Sequence, residues 1–513
     1  MRYLLLILTI LTFSFTIIPD KTDKKYYEEK YRPQYHFTPE KNWMNDPNGL
    51  VYYGGEYHLF YQYNPNGKEW GYMHWGHAVS KDMVRWEHLP IAITPDEDSK
   101  DKNHATAFSG CAIVDEKNTA GLQQGDEKTL LVFYTSFECG QRLAYSNDKG
   151  RTWKKYDKNP LIPFEKDDAR DPKVFFHQPS GNWVMALYRK PEGDEAKQGI
   201  SIYTSKNLIN WELQSHLTGF FECPDLFELP LDGNKEKTKW VLLGGDGAYM
   251  IGSFDGKKFS PESKKKILDH GKNFYATQTW SNHPEGKVVQ IAWMKGGEFP
   301  EMPFNGQMTF PCELSLRTTK SGPSLCKKPI DAIATLHDKD LIKKEKTIIP
   351  GIKGNLIGGI SGEAIHIKAK FNPKSSDGFG FLIRNGKKEL GTEIRYDSNK
   401  KMLDCMGGQA IVEPIGGFIK LEILVDRSSI EIFANDGEVV LSSCFTPAKG
   451  DDDLTLWTQG GELYVDSISV YTLKSAWKEK LSKKLTGNEH RLPYAHQPFG
   501  RAQHPRRDGF DSY

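Results

Sequence analysis

Ser80-Lys81-Asp82-Met83-Val84-Arg85-Trp86 returns as Ser146-Asn147-Asp148-Lys149-Gly150-Arg151-Thr152-Trp153, and again as Ser205-Lys206-Asn207-Leu208-Ile209-Asn210-Trp211. Each copy reads as a strand end, a polar turn and a Trp that starts the next strand. The spacing is about one propeller blade. Between the copies lie short alternating runs such as Tyr57-His58-Leu59-Phe60-Tyr61, Leu130-Leu131-Val132-Phe133-Tyr134 and Trp240-Val241-Leu242-Leu243, separated by Gly, Pro, Asn and Asp. Helical periodicity is almost absent. The reading is an all-β chain whose first part is a β-propeller, with the three Trp as wedges between blades rather than as binding residues.

At 513 residues the chain is too long for one ordinary core. The propeller is expected over 35–337. A charged run, Asp338-Lys339-Asp340 and Lys343-Lys344-Glu345-Lys346, reads as a connector. Over 351–473, strands such as Leu421-Glu422-Ile423-Leu424-Val425 and Ile430-Glu431-Ile432-Phe433 predict a β-sandwich. Lys474 to Leu485 reads as a short helix, and the polar remainder of 474–513 as a disordered tail. Residues 1–18 carry a basic start and an apolar run too short for an ordinary span, and read as a secretory signal peptide with no clear cut site. An uncleaved anchor is the alternative. The expected location is secreted, extracellular or periplasmic.

With 68 basic and 67 acidic residues the net charge is +1, which gives no electrostatic case for nucleic acid or an anionic membrane as partner. A neutral substrate fits better. Seven scattered Cys with no Cys-x-x-Cys pair point to neither a zinc site nor a disulfide framework. No metal and no cofactor are expected, and His74 and His77 read as strand-lining residues.

Three acids carry the chemistry. Trp43-Met44-Asn45-Asp46-Pro47-Asn48-Gly49 places Asp46 in a turn at the mouth of a strand, and Arg170-Asp171-Pro172-Lys173 repeats the acid, Pro, strand order. Phe221-Glu222-Cys223-Pro224-Asp225 again sets an acid ahead of an apolar run. Innermost strands of a propeller line one central cavity, so acids at equivalent strand starts converge there.

These motifs, together with Phe108-Ser109-Gly110, Phe274-Tyr275-Ala276-Thr277-Gln278-Thr279, Asn305-Gly306-Gln307-Met308-Thr309-Phe310-Pro311 and Val425-Asp426-Arg427-Ser428-Ser429-Ile430-Glu431-Ile432-Phe433, resemble those of glycoside hydrolase family thirty-two. That family comprises invertases, inulinases and levanases. The resemblance covers about residues 35–473 and implies a five-bladed β-propeller followed by a C-terminal β-sandwich. It also implies a retaining exo-β-fructosidase acting on terminal fructose of levan, inulin or sucrose, as a monomer or homodimer. Asp46 would be the nucleophile, Glu222 the general acid/base and Asp171 the transition-state stabiliser. Asn45, Gln62, Ser109 and Trp70 match positions lining the terminal fructose site; Trp43, Phe108, Arg170, Tyr275 and Phe304 complete the expected substrate-binding set. Phe221 and Phe304 stand where many relatives carry Trp, which leaves substrate preference open. The wording around Met302-Pro303-Phe304 is nearer to microbial levanases and exo-inulinases than to plant invertases.

Retention requires one ionised carboxylate at the anomeric carbon and a protonated one at the leaving oxygen, roughly 5–5.5 Å apart. The expectation is that Phe220, Phe221 and the neighbouring acids raise Glu222, while amide hydrogen bonds lower Asp46. A fructosyltransferase, a binding protein on a dead enzyme scaffold and an inverting glycosidase of the arabinanase type are the competing readings. The intact acids count against the second, and the Trp43 to Gly49 heptad against the third.

Overall fold

The computed structural model describes residues 26–477 apart from 97–105, 166, 350–356, 358–359, 386–391 and 448–452. The expected signal peptide and tail lie outside the described residues. So does most of the expected helix; residues 474–477, its only described part, are not helical.

Five antiparallel blades follow one another along the chain. The first runs Asn42–Tyr53, Glu56–Asn64, His74–Ser80 and Trp86–Ile93; the second Ala107–Asp115, Thr129–Ser136, Gly140–Ser146 and Lys154–Lys155. Arg170–His177, Asn182–Arg189, Gly199–Ser205 and Glu212–Thr218 make the third. Asp225–Leu231, Asn234–Leu243, Ala248–Phe254 and Phe259–Pro261 make the fourth, and Tyr275–Thr279, Val289–Trp293, Cys312–Thr319 and Gly322–Pro329 the fifth. Side chains tie the innermost strands together around the axis. Lys173 Nζ in the third blade donates to Thr279 O in the fifth at 2.9 Å, and Thr279 N donates to Asp225 Oδ2 in the fourth at 2.7 Å. Gln278 Nε2 reaches Gly110 O in the second blade at 3.0 Å, and Ser281 Oγ reaches Leu50 O in the first at 3.1 Å. Each bond satisfies a buried polar group that a closed ring of strands would otherwise strand away from water.

The repeated turn has one construction in all three copies. Asp82, Asp148 and Asn207 accept from backbone N–H groups two to four residues ahead. Met83, Lys149 and Leu208 take the left-handed conformation, and the indole N–H of Trp86, Trp153 and Trp211 donates to the carbonyl three residues back at 3.1 Å. Each ring then lies against a neighbouring blade. Trp86 meets Trp280, Trp153 meets Phe60, and Trp211 meets Phe133, with ring centroids 6.2, 5.4 and 6.1 Å apart. The Trp are wedges.

The sandwich pairs a six-stranded sheet with a five-stranded one over a core that includes Ile367, Phe371, Phe379, Phe381, Ile423 and Ile432. Its first strand corrects the sequence reading. The charged run taken for a connector belongs to His337–Ile349, an edge strand paired antiparallel with Leu463–Leu473. Lysines on an edge strand discourage pairing with other chains, and that charge is what made the run look like a linker.

The motif from Val425 to Phe433 fastens this sandwich to the start of the propeller. Asp426 accepts from the backbone N–H groups of Gln34, Tyr35 and His36, and the His36 ring bridges Asp426 Oδ2 (2.8 Å) and Glu431 Oε1 (2.9 Å). Glu431 also accepts from Phe310 N at 2.7 Å.

Candidate active site

Asp46 does not precede its strand; it lies within Asn42–Tyr53. The pairing with Glu56–Asn64 slips between Met44 and Pro47 and again between Asn48 and Val51, so the Asp-Pro and Asn-Gly steps are β-bulges rather than a turn. Pro has no N–H to give the ladder and is tolerated there, and a bulge re-aims the side chain beside it. Gly49 is at φ +54°, and a Cβ on it would stand 2.5 Å from the Phe60 ring. Asp171 repeats the device: the pairing of Arg170–His177 slips opposite Ala186 to Tyr188, and Asp171 is at φ +63°. Glu222 sits in the turn before Asp225–Leu231. Both Glu222 and Cys223 are left-handed, at φ +45° and +40°. The left-handed backbones at Asp171 and at Glu222 with Cys223 are the kind of cost a fold retains at a working site.

The acids converge through shared donors. Ser109 Oγ donates to Asp46 Oδ2 at 2.6 Å, and Asn45 Nδ2 donates to Asp46 Oδ1 at 3.1 Å. Asn45 is itself aimed by the Trp43 indole N–H (2.8 Å), and Gln62 Nε2 donates to Ser109 Oγ (3.2 Å). Asp171 Oδ2 accepts from Cys223 N at 3.1 Å, while the Asp171 N–H is held by Thr135 Oγ1 at 3.0 Å. The Cys223 thiol lies 3.6 Å from Asp46 Oδ2 and 3.5 Å from Asp171 Oδ2. Arg170 donates through Nε (3.0 Å) and Nη2 (2.5 Å) to Glu222 Oε1, and Tyr275 Oη donates to Glu222 Oε2.

Asp171 and Glu222 are buried, at 5% and 3% exposure, whereas Asp46 keeps partial access to solvent. Crowding shows in their titration. Burial first, then the charges of Glu222 and Asp46, push Asp171 up to about 7 against the opposing pull of Arg170. Asp46 is also raised, chiefly by burial, although Ser109 and Asn45 pull it down. That reverses the expected direction for Asp46. The expected amide donor is present in Asn45, and Ser109 adds a hydroxyl, but their pull is smaller than the desolvation.

Of the sequence-predicted residues, Asp46, Asp171, Glu222, Trp43, Asn45, Gln62, Ser109, Arg170 and Tyr275 are brought into this one network. Trp70 is 47% exposed, with its ring centroid 6.3 Å from that of Phe108, so these two form a rim. Phe304 does not join. It is fully buried beneath the Arg32 guanidinium (3.8 Å) and beside Phe299 (5.0 Å). Phe221 packs edge-on to Tyr188 at 5.4 Å, near Arg170. Sequence reasoning missed Cys223, Thr135 and Asp168. Cys223 was adjacent to a named acid and Asp168 two residues from Arg170, but neither spacing reveals a direction.

The N-terminal domain model of glycosyl hydrolases family 32 matches residues 36–329, and the C-terminal model of the same family matches 333–472. The chain belongs to glycosyl hydrolases family 32. Within this family it is 42% identical over 516 residues to a levanase of Bacillus subtilis (strain 168), covering 91% of this chain and 74% of that one. It is 32% identical over 523 residues to the extracellular exo-inulinase of Aspergillus ficuum, covering 88% and 96%. A crystal structure of exo-inulinase from Aspergillus awamori superposes with a TM-score of 0.79 at 32% identity, covering 88% of this chain and all of that one. This family 32 chain is therefore a glycosidase built as a β-propeller with a C-terminal β-sandwich.

Proposed function

We propose that the protein is a secreted, retaining exo-β-fructosidase that removes terminal non-reducing β-D-fructofuranosyl units from levan, inulin and sucrose. The observation that carries this reading is the pairing of two differently dressed carboxylates around a third. Asp46 faces solvent with Ser109 and Asn45 donating to it, while Glu222 is gripped by Arg170 and Tyr275. The chain's likeness to a levanase and to an extracellular exo-inulinase supports the substrate class and the secretion.

In this reading Asp46 attacks the anomeric carbon as Glu222 passes its proton to the leaving oxygen, which leaves a covalent fructosyl-enzyme. Glu222 then takes a proton from water as the water attacks the same carbon and Asp46 leaves. Asp171 accepts hydrogen bonds from sugar hydroxyls, and these strengthen as positive charge builds on the ring. Arg170 balances part of the negative charge of the trio.

The test is fructose release from sucrose, inulin and levan by the wild type and Asp46→Asn, with NMR of the first-formed anomer. Monomeric fructose of retained configuration, lost in the variant, is expected. Inverted product, or no release by folded wild type, defeats the reading. Activity in the culture supernatant rather than the cell fraction checks secretion.

A further inference from the structure

Arg170 is held from its far side by a residue that the reaction scheme does not use. Its Nη1 pairs with Asp168 Oδ1 and also donates to the Asp168 carbonyl at 3.1 Å, while Nε and Nη2 face Glu222. The guanidinium is stacked over Tyr188, with Cζ 4.6 Å from the ring centre. Asp168 is at φ +53°, a conformation that Asp tolerates better than most residues, and its side chain is 47% exposed.

An exposed ion pair on a surface is ordinarily worth little. Here the partner is not on the surface: the Arg170 side chain is 10% exposed and its other edge contacts Glu222. The planar fork has fixed donor directions, so a carboxylate at Nη1 determines how Nε and Nη2 meet Glu222. It also offsets part of the guanidinium charge felt there.

We propose that Asp168 is a positioning residue for proton transfer by Glu222, acting through Arg170. The inference rests on the reading of Glu222 as the general acid/base. Other charged and titratable groups face this chain of contacts. Glu222 has Asp171, Asp46, Cys223 and Tyr275 around it, and Lys295 Nζ sits 4.3 Å above the Tyr275 ring. Asp168 has Lys190 at 3.7 Å, itself paired with Glu195 at 2.7 Å.

The experiment compares wild type, Asp168→Asn and Asp168→Glu on sucrose and on 4-nitrophenyl β-D-fructofuranoside, with kcat and KM followed against pH. A nitrophenolate leaves without a proton, so only sucrose needs the acid. In kcat/KM, which reports the leaving-group step and not the base-assisted second step that both substrates share, Asp168→Asn is expected to lose roughly tenfold on sucrose and less than about twofold on the nitrophenyl substrate. Removing the negative charge leaves Arg170 less balanced and favours the ionised acid. The alkaline limb of kcat/KM on sucrose then moves down by roughly half a pH unit. Asp168→Glu is expected to restore the limb. Equal losses on both substrates, or an unmoved limb in Asp168→Asn, would assign Asp168 a merely structural role and overturn the proposal. A folded wild type inactive on both substrates would instead remove the functional reading beneath it, an outcome distinct from an active wild type with an unaltered variant.

Discussion

Ser109 Oγ stands 2.6 Å from Asp46 Oδ2 and is the closest donor to that carboxylate. Its hydrogen bond favours the ionised form and opposes the burial that raises Asp46. Hydrogen bonds to charged groups contribute about 1.5–3 kcal/mol. Ser109→Ala is therefore expected to lower kcat/KM on sucrose by roughly 10- to 100-fold and to move the acid limb of the pH profile upward, because Asp46 then ionises later. A variant with an unmoved acid limb would show that Ser109 acts on the sugar and not on Asp46.

Asp171 stands at about 7, well above an ordinary aspartate. Because the three acids interact, the observed values belong to the trio. The free enzyme is expected to give a bell-shaped kcat/KM profile. Its alkaline limb should lie near pH 7, where the trio loses its shared proton, and its acid limb above the ordinary aspartate value near 3.8. A plateau extending past pH 9 contradicts this.

The same shift bears on stability. Between about pH 4 and 7 the folded chain binds more protons at Asp171 than the unfolded chain, so this residue's contribution falls as pH rises through that window. Asp171→Asn is expected to abolish turnover yet raise the melting temperature at pH 7.5 by roughly 1–3 °C, with little gain at pH 4. Calorimetry of both proteins at both pH values checks it.

What the sequence disclosed follows from how local each feature is. The repeated turn was legible because its chemistry, an Asx acceptor and an indole returning three residues, is contained within one short run, Ser80 to Trp86 in the first copy and Ser146 to Trp153 in the second. The acids were legible because each lies in a short, specific motif. The edge strand His337–Ile349 was hidden because the lysines that protect it also imitate a linker. Phe304 was misplaced because its environment comes from Arg32, far away in the chain, whose guanidinium covers the ring. The direction of Asp46's titration depended on how much wall surrounds it, which motifs do not record.

Trp70 and Phe304 should consequently behave in opposite ways. Trp70 is half exposed on the rim, so Trp70→Ala is expected to raise KM for inulin several-fold with little change in melting temperature. Phe304→Ala empties a fully buried ring site and is expected to cost about 3–5 kcal/mol, while the folded fraction keeps its KM within twofold. Steady-state kinetics and urea denaturation on the same preparations separate the two.

His36 joins the propeller to the sandwich through two buried carboxylates. Burial alone would lower its pKa, but the hydrogen bonds and charges of Asp426 and Glu431 outweigh it and raise the imidazole to about 9. A histidine raised from 6.5 contributes its full stabilisation below about pH 6.5 and loses it as pH rises through about 9. The contribution is on the order of 3 kcal/mol at its maximum. Asp426, held below its ordinary range by the same partner against the effect of burial, contributes stability that is lost only in acid. The urea midpoint of the wild type is thus expected to fall between pH 7 and 10. His36→Gln removes the cation and leaves two carboxylates facing each other, so it should be destabilised at pH 6 by several kcal/mol and show a much flatter decline at alkaline pH. If the variant declined as steeply as the wild type, the alkaline loss would originate elsewhere, and the buried Lys327–Asp269 pair, 2.7 Å apart, would be the next to replace.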